Sequence, residues 1–293
     1  MRAVEIVDCG SWEDFKAEVH RDYAEEVMGL SPLFRGHARK EWKLASPWDR
    51  QLEIWASTRE ERDRDASGKF LAKILRDFKE LAVGLPGLKS RELEDLDWWA
   101  IGRHYGLVTP LLDWTRSPYV AAFFAFTSFI EQVSPGMTTR GNADLKRFIL
   151  ADMNEPVALW AFMVGESIGA ANELEILNPR VDIGHRQRAQ RGVFTRLNHR
   201  SHFSIEEYLS TLSPAEPEDR APLRKYLIPG REAAKAITEL RMMNITFATL
   251  FPDLEGAAWQ ANFETSAFAL MTLSLGASER VWRSPVDLKL ESA

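Results

Sequence analysis

From Arg103 to Ala125 the sequence reads Arg103-His104-Tyr105-Gly106-Leu107-Val108-Thr109-Pro110-Leu111-Leu112-Asp113-Trp114-Thr115-Arg116-Ser117-Pro118-Tyr119-Val120-Ala121-Ala122-Phe123-Phe124-Ala125. No other stretch constrains the fold as much. A helix marked by Leu93, Leu96, Trp99 and Ala100 should stop at Gly106. Ser117-Pro118 supplies an N-cap followed by proline at the first helical position, and 120–130 then stays apolar on most faces, so the helix it opens belongs inside a core. Between the two helices lies a short, buried-looking run that carries Asp113 and Thr115 at an element end, where functional groups are often displayed.

Leu33-Phe34-Arg35-Gly36 reads as a short core strand. On a strand the Arg35 side chain points opposite to Phe34, and Gly36 allows a ligand or another backbone to come close. Before it, Ser11 caps a helix in which Phe15, Val19, Tyr23 and Val27 recur every four residues. After it, Trp42, Leu44, Trp48, Leu52, Ile54 and Trp55 have no clean period, and their aromatic weight points to packing against the strand.

The mixed-charge run 59–65 reads as a solvated loop or helix face within an insertion near 58–69. Leu71, Ile74, Leu75, Phe78 and Leu81 mark a helix ending near Gly84. The stretches 147–151 and 157–164 read as strands joined in a hairpin at Asn154-Glu155-Pro156; 193–195, 226–228 and 245–251 read as further strands, and 232–243 as a helix. The expected class is α+β, with a mixed or antiparallel central sheet flanked by helices. The expected organisation is an N-terminal helical segment at 1–28, the motif-bearing region at 29–130, and the remainder of the same domain at 131–293.

Composition removes several function classes. Lys plus Arg number 37 against 43 Asp plus Glu, a formal charge of −6, which disfavours a surface that coats nucleic acid while leaving room for a local basic site. Cys9 is the only cysteine, so no intrachain disulfide forms, and the chain reads as a reduced, cytoplasmic protein. The apolar run 119–130 is too short to span a bilayer, and residues 1–10 do not read as a secretory signal, so none is expected. There is no glycine-rich dinucleotide fingerprint, phosphate-binding loop, nucleophile elbow or paired-His metal motif, and no metal site is expected.

The chemistry-bearing residues each allow a plain structural role as well. Arg35 could sit in an ion pair with Asp113, His104 could be a packing residue, and Asp113 could cap the helix at Ser117 or orient Arg116. Between 180 and 200 the chain concentrates Arg180, Arg186, Arg188, Arg191, Arg196 and Arg200 with only Asp182 as an acid. Such a segment could hold a dinucleotide pyrophosphate or a nucleic-acid backbone, or be a solvated basic face.

Phe34-Arg35-Gly36, Trp42-Lys43-Leu44, Ser46-Pro47, Arg50 and the 104–125 block together resemble the FRG-domain family. Gln190-Arg191-Gly192-Val193-Phe194-Thr195 and the run 249–256 are similar to its later elements, so the resemblance covers 33–260. The chain departs from the family at Arg103, where Gln is frequent, and at Pro110, where a basic residue is frequent. The layout also resembles ADP-ribosyltransferases more distantly. That resemblance implies that Arg35 binds the nicotinamide-side phosphate or ribose, Thr115 braces the nicotinamide pocket, and Gln190 takes the late-strand position. The catalytic glutamate of those enzymes has no clear match.

The implied catalytic set is Arg35, His104, Tyr105, Asp113, Thr115 and Gln190; the implied cofactor-binding set is Arg35, Gly36, Arg116 and Arg191, with NAD as cofactor. The implied activity is NAD cleavage or ADP-ribose transfer, in a toxin or anti-phage effector by family analogy. The alternative is a noncatalytic module that binds a small nucleotide, or nucleic acid through 180–200. On either reading Arg35, His104, Tyr105, Asp113 and Thr115 should converge on one cleft, with Gln190 and Arg191 beside them.

Overall fold

The computed structural model describes residues 3–25, 32–58, 64–85, 93–133, 153–163, 173–180, 185–198, 202–212 and 221–274. Its strands are β1 (Val4–Asp8), β2 (Leu33–His37), β3 (Leu112–Thr115), β4 (Pro156–Phe162), β5 (Leu174–Leu177), β6 (Gly192–Leu197) and β7 (Leu223–Pro229). The helices are α1 (Trp12–Glu25), α2 (Pro47–Thr58), α3 (Arg64–Ala82), α4 (Asp95–His104) and α5 (Pro118–Val133), followed by α6 (Arg186–Ala189), α7 (Ile205–Thr211), α8 (Ala233–Met242), α9 (Phe247–Leu250) and α10 (Leu254–Ser274). The class is α+β, and the sheet is mixed: its order is β1-β7-β4-β2-β3-β6-β5, with β1 parallel to β7 and every other pairing antiparallel.

The inner strand β4 is buried along nearly its whole length, as expected of an unbroken apolar run covered on both faces. Val157, Leu159 and Ala161 pack with α5, α1 and α8, through Phe15, Phe126, Phe129 and Ile237 among others. Trp160 and Phe162 join Leu33, Trp114, Val193 and, from α7, Tyr208 and Leu209. A third cluster, containing Leu75, Trp98, Trp99 and Leu111, seats α3 against α4.

Helix α5 lies directly over β2 because Gly36 has no side chain. A Cβ there would sit 1.9 Å from the Ala121 carbonyl oxygen and 2.8 Å from the Ala125 nitrogen. The small residues Ala121, Ala122 and Ala125 complete this close approach. The backbone that Gly36 admits is thus that of α5.

Between β2 and β3 the sheet parts. The two strands share a single register position, Phe34 opposite Thr115, while β2 pairs along its length with β4 and β3 with β6. This opening positions the site described below.

Several expectations need correction. The stretch 245–251 contains a short helix, α9, instead of a strand: Thr246 caps it, accepting a hydrogen bond from the Thr249 main chain at 3.2 Å, and Phe247 and Leu250 are buried at helical spacing. Stretch 147–151 lies outside the described residues, but β4 is already paired on both edges by β2 and β7, which excludes β4 from the expected hairpin. Segment 1–28 contributes a strand, β1, besides its helix. Helix α2 begins with Ser46 and Asp49 exchanging hydrogen bonds with each other's main chains, a capping box with Pro47 at the first position.

Gly36→Ala should lower unfolding stability by about 3 kcal/mol, because neither backbone atom that its Cβ meets can yield without moving α5 off the sheet. Denaturant titration checks this, and a midpoint equal to that of the parent would contradict it.

Candidate functional site

A cleft of about 980 Å³ opens where β2 and β3 part. Its floor is formed by Arg35 and His37 from β2, Asp113 and Thr115 from β3, and Gly192 to Phe194 from β6. Arg50 of α2 and Arg103 of α4 line it near Asp113; His104 of α4 lies toward Arg186, which with Phe124 of α5, Gln187, Gln190, Phe251 and Trp259 lines another part.

Local structure places each group. Helix α4 ends in a Schellman turn, in which the Leu107 N–H donates to the Gly102 carbonyl at 2.8 Å and Gly106 adopts φ +85°. This stop leaves Arg103 and His104 in the last turn at the cleft. Thr115 closes β3: its hydroxyl donates to the Gln190 carbonyl at 2.6 Å and accepts from the Ser117 N–H at 3.1 Å, which joins the start of α5 to the loop before β6.

Arg35 bridges the parted strands. Its Nη1 donates to the Asp113 main-chain oxygen at 2.6 Å, and its Nε donates to His37 Nε2 at 3.0 Å. That bond makes His37 Nε2 an acceptor, leaving Nδ1 to donate to the Trp42 carbonyl at 3.2 Å. Burial, followed by the Arg35 charge, keeps His37 well below the usual imidazole pKa, so it is neutral. Burial also pushes the Arg35 guanidinium down to about 10, against the opposing pull of Asp113.

The Asp113 carboxylate receives Arg103 Nη2 at 2.6 Å and Arg103 Nε at 3.2 Å, and lies 3.7 Å from Arg35. Burial alone would raise its pKa, but the Arg103 charge and hydrogen bonds, with Arg35, outweigh it and hold the carboxyl below its ordinary value. Asp113 therefore makes the ion pair that its spacing from Arg35 allowed, and its main partner is Arg103.

His104 makes no hydrogen bond among the described residues, and its ring stands edge-on to Tyr105 at 4.7 Å. Burial and then the Arg186 charge lower its pKa, so it presents a neutral imidazole. On the aromatic side, Arg186 stacks over Phe251 at 5.0 Å and Trp259 at 5.7 Å, and pairs with Asp253 and Glu255 at 2.7 and 2.6 Å.

The cleft thus collects Arg35, Gly36, His104, Asp113, Thr115 and Gln190. Tyr105, Arg116 and Arg191 are not in its lining. Tyr105 caps the end of α4 and is 71% exposed. Arg116 and Arg191 meet through their main chains at 3.1 Å, and Arg191 occupies a left-handed turn with φ +50° that leaves its side chain exposed. Gln190 stands at the end of α6 instead of on a strand, and its amide donates to the Leu250 carbonyl at 3.1 Å.

Three of the six arginines of the basic segment are matched by acids: Arg180 by Glu94 at 3.0 Å, Arg186 as above, and Arg196 by Glu175 at 2.6 Å. Residues 181–184 and 199–200 lie outside the described residues. Sequence reasoning overlooked His37 and Trp259; Arg186 was noted only as part of the basic segment, and Phe124 and Phe251, the rest of the aromatic wall, only within motif runs. Arg50 and Arg103 were noted only as points of family agreement and departure. Among the described residues no helix is long and apolar enough to cross a membrane, and no group of three His, Cys, Asp or Glu could hold a metal ion.

Fold and site together define an α+β domain with an arginine-lined cleft at a parted sheet. The family model of the FRG domain matches residues 31–132, which run from β2 through α5, so this stretch of the chain is similar to an FRG domain. That match contains Arg35, Arg50, Arg103, His104, Asp113 and Thr115; the aromatic wall apart from Phe124, together with Arg186 and Gln190, comes from the chain beyond it. No curated protein and no solved structure matches the chain.

Asp113→Asn keeps the shape of the side chain and leaves two guanidinium groups without their countercharge. Because the Asp113 side chain is 42% exposed, solvent screening limits the expected loss of stability to about 1–2 kcal/mol, below that of a fully buried pair. Denaturant titration at neutral pH measures it.

A second prediction concerns Asp49, whose carboxyl burial pushes up from 3.8 to about 6 despite its bonds to Ser46. Between those values the native state holds a proton that the unfolded chain has released, so stability from this group falls as pH rises from 3.8 to about 6 and levels off above. Asp49→Asn should remove that fall. Unfolding free energies of parent and variant that run parallel across the window would show that Asp49 does not titrate in this way.

Proposed function

We propose that the cleft binds NAD and that the chain cleaves its nicotinamide–ribose bond. One observation carries the reading: three arginines gather around a single carboxylate on the floor of a cleft large enough for a nucleotide, with an aromatic wall beside them. Guanidinium forks match phosphate oxygens, and the faces of Phe124, Phe251 and Trp259 suit a planar base.

In the proposed step the C1′–N bond breaks, and its electron pair goes to the pyridinium nitrogen, so nicotinamide leaves neutral. Water or an acceptor nucleophile attacks C1′. His104, neutral and without a hydrogen-bond partner among the described residues, accepts the proton released. Asp113 holds Arg35 and Arg103 in place, and Thr115 fixes the loop that carries Gln190.

The noncatalytic nucleotide-binding reading has its own support. Each carboxylate lining the cleft faces a cation: Asp113 faces Arg103, Glu53 faces Lys43 at 2.6 Å, and Glu41 lies 3.9 Å from Lys40. None stands free to stabilise a ribosyl cation. A nucleic-acid groove through 180–200 finds less support, since Arg180, Arg186 and Arg196 are matched by acids.

Incubating the protein with NAD, following nicotinamide by chromatography and titrating ADP-ribose by calorimetry, separates these readings. Nicotinamide release that falls about a hundredfold or more in His104→Gln is the expected result. Binding of NAD without release selects the noncatalytic reading. Absence of both binding and release overturns both.

A further inference from the structure

The charged groups that line the cleft are unequally committed. Lys43 is taken by Glu53 and Glu207 at 2.6 and 2.7 Å, Arg186 by Asp253 and Glu255, and Arg103 by Asp113. Arg35 spends its Nε on His37 and its Nη1 on Asp113.

Arg50 differs from all of these. It lies one turn inside α2, its Nη1 donates to the Ala45 carbonyl at 3.0 Å, and it forms no ion pair among the described residues. Its sequence neighbour Asp49 is absent from the cleft lining and is engaged in the Ser46 cap. One bond to a carbonyl fixes the guanidinium and leaves most of its N–H groups unspent on protein acceptors.

Around the parting of β2 and β3, therefore, Arg35, Arg50 and Arg103 face Asp113, while Asp49 pulls on Arg50 from outside the lining, and positive charge is in excess. Burial and then Arg103 oppose the charge on Arg50, against the weaker pull of Asp49 and Asp113, and Arg103 and Arg50 oppose that on Arg35. Three like charges held together by a rigid frame are relieved by an anion that bridges them.

We propose that Arg50 is the ligand-dedicated arginine of the cleft, and that with Arg35 and Arg103 it selects ligands carrying two adjoining phosphate groups, a pyrophosphate linkage or a nucleoside diphosphate. The selection of a nucleotide rests on the function proposed above; the pyrophosphate contact of Arg50 does not.

The test is calorimetric titration of the full chain with inorganic pyrophosphate, ADP-ribose and adenosine, on the parent, Arg50→Gln and Arg50→Lys, with an unfolding midpoint for each. Pyrophosphate and ADP-ribose should bind, adenosine should bind at least about tenfold more weakly than ADP-ribose, and Arg50→Gln should weaken both phosphate ligands about tenfold or more. Arg50→Lys keeps the charge but loses the fork and should weaken them about threefold or more; it decides the matter if the Gln variant does not fold.

Unchanged affinity for pyrophosphate and ADP-ribose in a folded Arg50 variant overturns the proposal while leaving a nucleotide site intact. Adenosine bound as tightly as ADP-ribose overturns the selection for phosphate. Arg50-dependent binding of pyrophosphate without any binding of ADP-ribose keeps the arginine assignment and removes the nucleotide reading.

Discussion

The bond from Arg35 to the Asp113 carbonyl is the contact on which the cleft depends. Past Phe34 and Thr115, β2 and β3 stop pairing, and a parted sheet would leave main-chain groups without partners inside the protein. Arg35 meets that need with a side chain. By reaching across the gap it satisfies the β3 carbonyl while keeping the strands apart, so the opening persists as a cleft and does not close into a continuous ladder. The same guanidinium sets the state of His37, whose neutral ring is held between Arg35 and the Trp42 carbonyl.

The electrostatics follow from this arrangement. One carboxylate, Asp113, sits among three arginines; its proton affinity falls, and the cations around it keep an excess of positive charge. Such an excess within a chain of formal charge −6 is local and built by tertiary contacts. On the other wall, Arg186 is neutralised by Asp253 and Glu255 and works as a flat surface over Phe251 and Trp259. The two walls therefore offer different chemistry, charge on one and stacking on the other.

Much of the helical framework was legible from caps. Ser11, Gly106 and Ser117-Pro118 mark termini of α1, α4 and α5, because capping is a local hydrogen-bonding problem solved within a few residues. Ser46-Pro47 carries the same signature as Ser117-Pro118 and does open α2, but the uneven spacing of Trp48, Leu52, Ile54 and Trp55 hid it. The edge strands β1 and β5 gave no strong alternation because each is only partly covered, and 245–251 was misread since β-branched and aromatic residues favour strands until a cap such as Thr246 decides otherwise.

The sequence by itself determined the α+β class, the core helix α5, the strand bearing Arg35, and the gathering of Arg35, His104, Asp113 and Thr115 in two motif blocks, because residue spacing and capping act over short distances. Only the tertiary structure decided the strand order, the parting of β2 from β3, and the partner of each charge. Arg103 rather than His104 pairs most closely with Asp113, Arg50 enters from α2, and Phe251 and Trp259 arrive from more than a hundred residues downstream of it. Tyr105, Arg116 and Arg191 sit beside site residues in sequence yet outside the lining, since a helix end and a left-handed turn aim neighbouring side chains in different directions. Those outcomes depend on contacts between segments far apart in the chain, for which no local pattern carries a signal.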